Sequence, residues 1–289
     1  MKRILMRLAR AAGLEVRRVG TGRPLPWIPD VELIEHRSVG EGWRTGALHL
    51  ANRHHRPERF GLYRGPGDRR LHYVVWFLDV RGLRVLELGP LEGFHSVVLD
   101  KLGIRSAVAV EGRRRNLEKC LHVKELYRLD RTEYVLHDIE ALARGDEQPS
   151  FTGPFDLVLA LGVLYHLRDP AQGLRWTAGQ APTLFLGTHY VERADERWYP
   201  QRLFSECELD SGGARYFGKR FVEKRGSSAA GLSADSVWLD EESLLRALRD
   251  AGYTTISVLG KDVLADFPHI TILAERAELP YPGVGQQSP

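Results

Sequence analysis

The stretch that decides the fold is Val85-Leu86-Glu87-Leu88-Gly89-Pro90-Leu91-Glu92-Gly93-Phe94-His95. Arg84 to Leu88 is a short, largely apolar run of the kind that forms a buried strand, and Glu87 lies near its end. A glycine-bearing turn follows, and then a helix over residues 94–103. Gly89 lets backbone approach a ligand closely, and Gly93 relieves crowding where the helix begins. The two glycines are separated by three residues and position 91 is leucine, so the turn is not GxGxxG. That argues against a dinucleotide pyrophosphate. A carboxylate at the strand end also suits a cationic ligand better than a phosphate.

Working outward, the same strand–helix alternation recurs. Residues 71–80 form an apolar helix or short strand. Strands are expected at 106–110 (SAVAV), 132–136, 155–161 (FDLVLAL) and 183–187 (TLFLG), with helices over 113–127 and near 171–179. After a long insertion, Asp240 is the N-cap of a helix through Leu244, Leu245, Leu248 and Ala251, with Gly252 as its stop signal. Two strands at about 254–259 and 269–274 close the pattern as an antiparallel hairpin. The expected fold class is therefore α/β, a doubly wound Rossmann-like sheet of seven strands, mostly parallel and covered on both faces. In such a sheet ligands bind beyond the carboxyl ends of the strands, at the switch point.

That rule picks out three acids. Besides Glu87, Glu111 ends the second strand; it suits a ribose diol or a helix N-terminus equally. Asp138 follows the third strand and suits an adenine amino group or a helix cap equally. Their occurrence at three successive strand ends is the stronger observation.

This set resembles the class I S-adenosylmethionine-dependent methyltransferases, over roughly residues 70–275. The resemblance implies S-adenosylmethionine as cofactor. Gly89 and Gly93 would line its methionine part and Glu87 would organise its amino group; Pro90, in the same cofactor-binding turn, departs with Leu91 from the commonest glycine loop of that family. Glu111 would hold the ribose hydroxyls and Asp138 with Ile139 the adenine, with Gly112, Leu161 and Gly162 also counted among the cofactor-binding residues. The block Gly162-Val163-Leu164-Tyr165-His166-Leu167-Arg168-Asp169-Pro170, with Phe94-His95, is similar to the bacterial tRNA wobble-uridine carboxymethyltransferases and their relatives. That group uses a carboxylated cofactor, whose extra carboxylate is held by a lysine from an N-terminal arm. Here no lysine lies between Lys2 and Lys101, which favours the ordinary cofactor and a different acceptor.

Three residues are candidates for catalysis. His166 follows the fourth strand and His189 the fifth; either would serve as base for a hydroxyl acceptor, since histidine titrates near neutrality. Tyr165 would shape the methyl site. Each has a plainer structural reading, a loop hydrogen bond for the histidines and packing for the tyrosine. A metal site on His189 and Glu192 lacks an evident third ligand, and no metal is assigned.

The expected organisation is a basic N-terminal helix and irregular arm (1–68), the cofactor-binding part (69–188), a cap insertion (189–236), the C-terminal part of the same domain (237–278) and a tail (279–289). The cap aromatics Trp198, Tyr199, Phe204, Tyr216, Phe217 and Phe221 would stack an acceptor ring or form the cap's own core. His54 and His55 read as surface residues.

The formal charge of +3 is concentrated in residues 1–20, where Lys2, Arg3, Arg7, Arg10, Arg17 and Arg18 stand against Glu15. The remainder sums to −2, which weighs against a general nucleic-acid binder. The expected acceptor is a small molecule or glycan hydroxyl, with tRNA the less favoured alternative. The amphipathic tail suits an anionic membrane surface or a docking partner, against the plainer reading of a self-packed helix. Two cysteines, Cys120 and Cys207, and no bilayer-length apolar run make a cytoplasmic setting, peripheral to a membrane at most, the expectation. The sequence does not speak to oligomeric state.

Overall fold

A computed structural model describes residues 69–276, apart from 194, 195 and 225. The basic N-terminal helix, the arm with His54 and His55, and the tail lie outside the described residues.

Helix α1 (Arg69–Phe77) leads into β1 (Arg84–Leu88), α2 (Phe94–Lys101), β2 (Ser106–Glu111), α3 (Arg114–Tyr127), β3 (Thr132–Leu136), α4 (Ile139–Arg144) and β4 (Leu157–Leu161). A 3-10 turn (Leu164–His166), α5 (Pro170–Gln180) and β5 (Thr183–His189) follow. Strands β6 (Phe204–Ser211), β7 (Ala214–Val222) and β8 (Asp235–Leu239) precede α6 (Glu241–Asp250), β9 (Thr255–Leu264) and β10 (Phe267–Glu275).

Seven strands form one sheet in the order β3-β2-β1-β4-β5-β10-β9. β1 pairs in parallel with β2 and β4, while β10 runs antiparallel to both β5 and β9. The expected fold class and C-terminal hairpin are both present. β1 sits at the switch point, so the turn after it opens between β2 and β4.

Alternation along β1 explains how a carboxylate comes to be buried there. Val85 packs with Leu99, Val97 and Leu159 on one face, while Leu86 and Leu88 join Val158, Ala160 and Leu186 on the other. Glu87 shares the Val85 face and is 1% exposed. Each buried Leu or Val of these layers stabilises the fold by roughly 1.5–3 kcal/mol, which offsets the desolvation of that acid. Asp240 accepts a hydrogen bond from the Ser243 N–H at 2.7 Å, as an N-cap does.

The second sheet, β6-β7-β8, is antiparallel. β8 runs across the boundary expected at 236–237: its pairing partner is β7, yet Val237 and Leu239 are buried in the main core. The cap is therefore stitched to the larger domain by one strand serving both. Of the cap aromatics, Tyr199 and Phe204 are buried with Trp238, Tyr165 and Val191, and Phe221 packs against them. Tyr216 is fully buried in the main core, whereas Phe217 is exposed. Trp198, Tyr199, Phe204 and Phe221 thus belong to a core of the cap's own, Tyr216 joins the main core, and Phe217 is the cap aromatic left to solvent. No helix among the described residues is long and apolar enough to cross a membrane.

Candidate active site

The turn after β1 is held in an unusual backbone shape. Gly89 (φ +63°), Leu91 (φ +58°) and Gly93 (φ +82°) all take left-handed conformations. Gly89 must be glycine on two counts: a Cβ there would stand 2.5 Å from Cγ2 of Val163 at the tip of β4, and its φ disfavours other residues. At Gly93 a Cβ would crowd Tyr134 Oη at 2.9 Å. The reading of Gly93 as relief of crowding at the helix start accords with this contact. Pro90 accepts a hydrogen bond from the Gly93 N–H at 2.8 Å, closing the turn.

Two of the acids meet under this turn. Glu87 accepts a hydrogen bond from Ser96 Oγ of α2 through Oε2; its Oε1 is buried and makes no hydrogen bond among the described residues. Burial pushes the Glu87 carboxyl above its ordinary value, opposed by His95 and Ser96. Glu111 Oε1 accepts from the Arg113 N–H (2.9 Å) and Asn116 Nδ2 (3.2 Å), and Oε2 from the Leu91 N–H (3.1 Å). Burial raises this acid too, against those hydrogen bonds. Oε2, with one donor, retains acceptor capacity. Asp138 follows β3 beside them, since the His137 N–H donates to Glu111 O at 3.1 Å. Its side chain accepts from the Glu140 N–H at 2.8 Å and so caps α4, placing Ile139 at the head of that helix. On the β4 side, Leu161 is buried and the Gly162 N–H donates to Gly187 O at 2.8 Å.

The catalytic candidates form one cluster. Tyr165 lies with its ring centroid 4.2 Å from His166 and 4.4 Å from His189. His189 is stacked on Trp238 at 4.8 Å with an interplanar angle of 8°. Its Nδ1 hydrogen-bonds to Pro268 O, and burial pushes its pKa down to about 3. The sequence places both histidines at strand ends facing the pocket; the structure encloses His189 because β5 runs two residues further than expected, carrying it into the layer beneath the cap. His166 keeps partial exposure. Its Nδ1 meets Glu223 Oε1 at 2.8 Å, and its Nε2 has no hydrogen-bond partner among the described residues.

Glu223, just past the end of β7, escaped the sequence reading. So did a strap over residues 227–234 that lies on the rim of the acidic cluster. Arg113 donates to Ala230 O and Gly231 O at 3.0 and 2.6 Å, and Asn116 donates to Ser228 O at 2.9 Å. Ser233 Oγ donates to Glu140 Oε2 at 3.1 Å. Leu232 lies so close to Gly112 that a Cβ there would stand 2.7 Å from its Cδ1. The polar tail of EGRRRN after β2 hinted at some such contact, but nothing in the sequence pairs it with a segment more than a hundred residues away. No group of three or more His, Cys, Asp or Glu side chains that would hold a metal is found among the described residues.

Comparison with known proteins now places the chain. The N-terminal domain of EvdMO1, solved with SAH bound, is 31% identical with a TM-score of 0.58, the match covering 73% of this chain and 80% of that one. The same domain solved in the presence of SAH and D-fucose gives 31% and 0.59, covering 74% and 87%. An S-adenosylmethionine-dependent methyltransferase from Mesorhizobium loti, 16% identical with a TM-score of 0.50 over 73% of this chain and 97% of that one, shares the fold. A curated relative, the tRNA U34 carboxymethyltransferase of Campylobacter hominis, is 27% identical over 123 residues, 42% of this chain and 41% of that protein; the chain thus matches less than half of that relative's length. No family model matches. The chain belongs to the S-adenosylmethionine-dependent methyltransferases. Its cofactor is S-adenosylmethionine, and the side chains at the strand tips suit that molecule: an orphaned buried carboxylate oxygen for an ammonium, a part-satisfied carboxylate for hydroxyls, and a side-chain-free turn for close approach.

Proposed function

We propose that the chain methylates a hydroxyl group of a small molecule or glycan, with His166 as the base. When bound, S-adenosylmethionine supplies an electrophilic methyl carbon with a thioether leaving group. The residues of this chain would then do the following. Glu87 holds the cofactor's ammonium end through Oε1. Gly89, Pro90 and Gly93 give a turn with little side-chain bulk for the methionine part. Glu111 receives the ribose hydroxyls, with Gly112 beside it. Asp138 and Ile139 flank the adenine, and Leu161 and Gly162 form the β4 wall. In the transfer that the bound cofactor would support, the acceptor oxygen would take the methyl carbon and the carbon–sulfur pair would stay on sulfur, while Nε2 of His166 would receive the hydroxyl proton. Alignment contributes most, and a positioned base adds about 10²–10⁴-fold.

The observation that carries this reading is the His166–Glu223 pair beside the acidic cluster, with Nε2 available. It is the arrangement expected of a base that takes a proton from an oxygen acceptor. His189, enclosed and held neutral by burial, serves as wall together with Tyr165. Support for a sugar comes from the relative solved in the presence of D-fucose. The tRNA alternative rests on the relative named for tRNA U34.

The test is transfer of radiolabelled methyl from S-adenosylmethionine to two acceptor sets, free and nucleotide-linked deoxysugars including D-fucose, and bulk tRNA. Label in a sugar, lost in His166→Gln, supports the proposal. Label in tRNA, or transfer to sugar that is undiminished in His166→Gln, contradicts it.

A further inference from the structure

Glu223 belongs to the cap, 57 residues from His166, and its side chain is almost completely buried. A buried carboxylate is costly unless its oxygens are satisfied. Here they are satisfied by three groups with different duties. Oε1 accepts from Ser236 Oγ of β8 at 2.8 Å and meets Nδ1 of His166 at 2.8 Å. Oε2 accepts from the Gly231 N–H of the strap at 2.9 Å. Burial works against this charge, but the hydrogen bonds from His166, Gly231 and Ser236 outweigh it, and the acid lies below its ordinary range. An ionised carboxylate has no proton to donate, so Nδ1 must carry the shared hydrogen and Nε2 must hold the lone pair.

We infer that Glu223 is a positioning residue for methyl transfer: it fixes His166 in the tautomer whose Nε2 accepts the acceptor's proton, and it does so only while the strap over residues 227–234 lies across the cofactor rim. This rests on the proposed role of His166 as base. The strap enters because one carboxylate bonds both partners. If the strap lifts, Gly231 leaves Oε2, and the close seat of Gly231 on His166 O, where a Cβ would stand at 2.8 Å, is lost with it. The base is thereby completed by the same segment that covers Gly112 and ties to Arg113 and Asn116. The titratable groups facing His166 are Glu223 from the cap, Tyr165 on its own turn and His189 from β5; Glu223 is the acid among them. Its negative charge also favours the imidazolium formed as the proton arrives.

The experiment is nitrogen NMR of histidine-labelled full-length protein, bound to S-adenosylhomocysteine, with His166→Gln identifying the signal. The wild type should show His166 as the Nδ1-protonated neutral tautomer. Glu223→Gln should let the Nε2-protonated tautomer populate, because its amide nitrogen can donate to Nδ1, and Glu223→Asp should restore most of the Nδ1-protonated form. Methyl transfer should fall about 10–100-fold in Glu223→Gln, and the double variant should be no slower than His166→Gln alone. Ser236→Ala, which removes another donor to the same oxygen, should leave the tautomer unchanged and keeps the test open if Glu223→Gln does not fold. An Nε2-protonated tautomer in the wild type, or the same tautomer populations in wild type and Glu223→Gln, overturns the inference. Transfer abolished by His166→Gln but untouched by Glu223→Gln overturns it while leaving the base assignment standing. Full transfer in His166→Gln overturns the base assignment instead.

Discussion

The Leu91 N–H donates to Oε2 of Glu111 at 3.1 Å, so the turn after β1 is pinned to the tip of β2. This bond requires Leu91 to hold a left-handed backbone, at φ +58°, where a side chain costs about 1–2 kcal/mol. Leu91→Val places a β-branched residue where it fits worst and should destabilise the protein by about a further 1–2 kcal/mol. Leu91→Gly should be near neutral, since relief of the backbone offsets the loss of a half-buried side chain. Thermal unfolding of the two variants checks this; equal midpoints would show that the turn does not hold this shape in solution.

A second expectation concerns pH. Burial raises the Glu87 and Glu111 carboxyls above the ordinary glutamate value of 4.5. A raised acid favours the folded state while protonated; that contribution is complete below pH 4.5 and is lost as pH rises through the folded-state pKa. Glu87→Gln removes one such charge. The variant should therefore gain stability over wild type as pH climbs from about 4.5 towards 8, reaching on the order of 1 kcal/mol, and the gap should close in acid. Denaturant melts across that range provide the measurement. A gap that is constant with pH would mean that Glu87 is not a strained buried acid. The same variant should bind S-adenosylmethionine more weakly, so stability and binding move in opposite directions.

The strap supplies a third. Arg113→Ala removes the donors to Ala230 O and Gly231 O, and Asn116→Ala the donor to Ser228 O. With partial exposure discounted, each change should cost about 1 kcal/mol locally. Hydrogen exchange at residues 227–233 should then accelerate about fivefold in each variant and more in the double, with faster release of S-adenosylhomocysteine. Unchanged exchange would show that the segment is held by something else.

The acidic tips were legible because a buried strand followed by an acid and a tight turn is a local pattern. Glu87, Glu111 and Asp138 each announce themselves within ten residues, and the topology then gathers them. The mostly parallel, seven-stranded character of the sheet followed from the same alternation. The cap resisted for the opposite reason. Strands β6 and β7 contain ECELDS and ARYFGKR, with charges on the exposed face and few apolar residues to mark them, so the cap insertion was legible but its strands were not. β8 serves two sheets, which no local period records. β9 runs to Leu264 instead of stopping near residue 259, because pairing with β10 carries it through GKDV. The partnership of His166 with Glu223 depends on the cap folding back, and neither residue's neighbours betray it. Of the two readings of Asp138, the structure shows the cap of α4, at a position beside Glu111.

The most direct test of the account is calorimetric titration of S-adenosylmethionine into wild type and Glu111→Ala. The prediction is saturable one-to-one binding to the wild type, weakened in the variant by roughly 1.5–3 kcal/mol for each charged hydrogen bond lost, which is at least tenfold in Kd. Equal affinity in the two proteins would contradict the claim that the acids at the strand tips form the cradle for the cofactor's nucleoside.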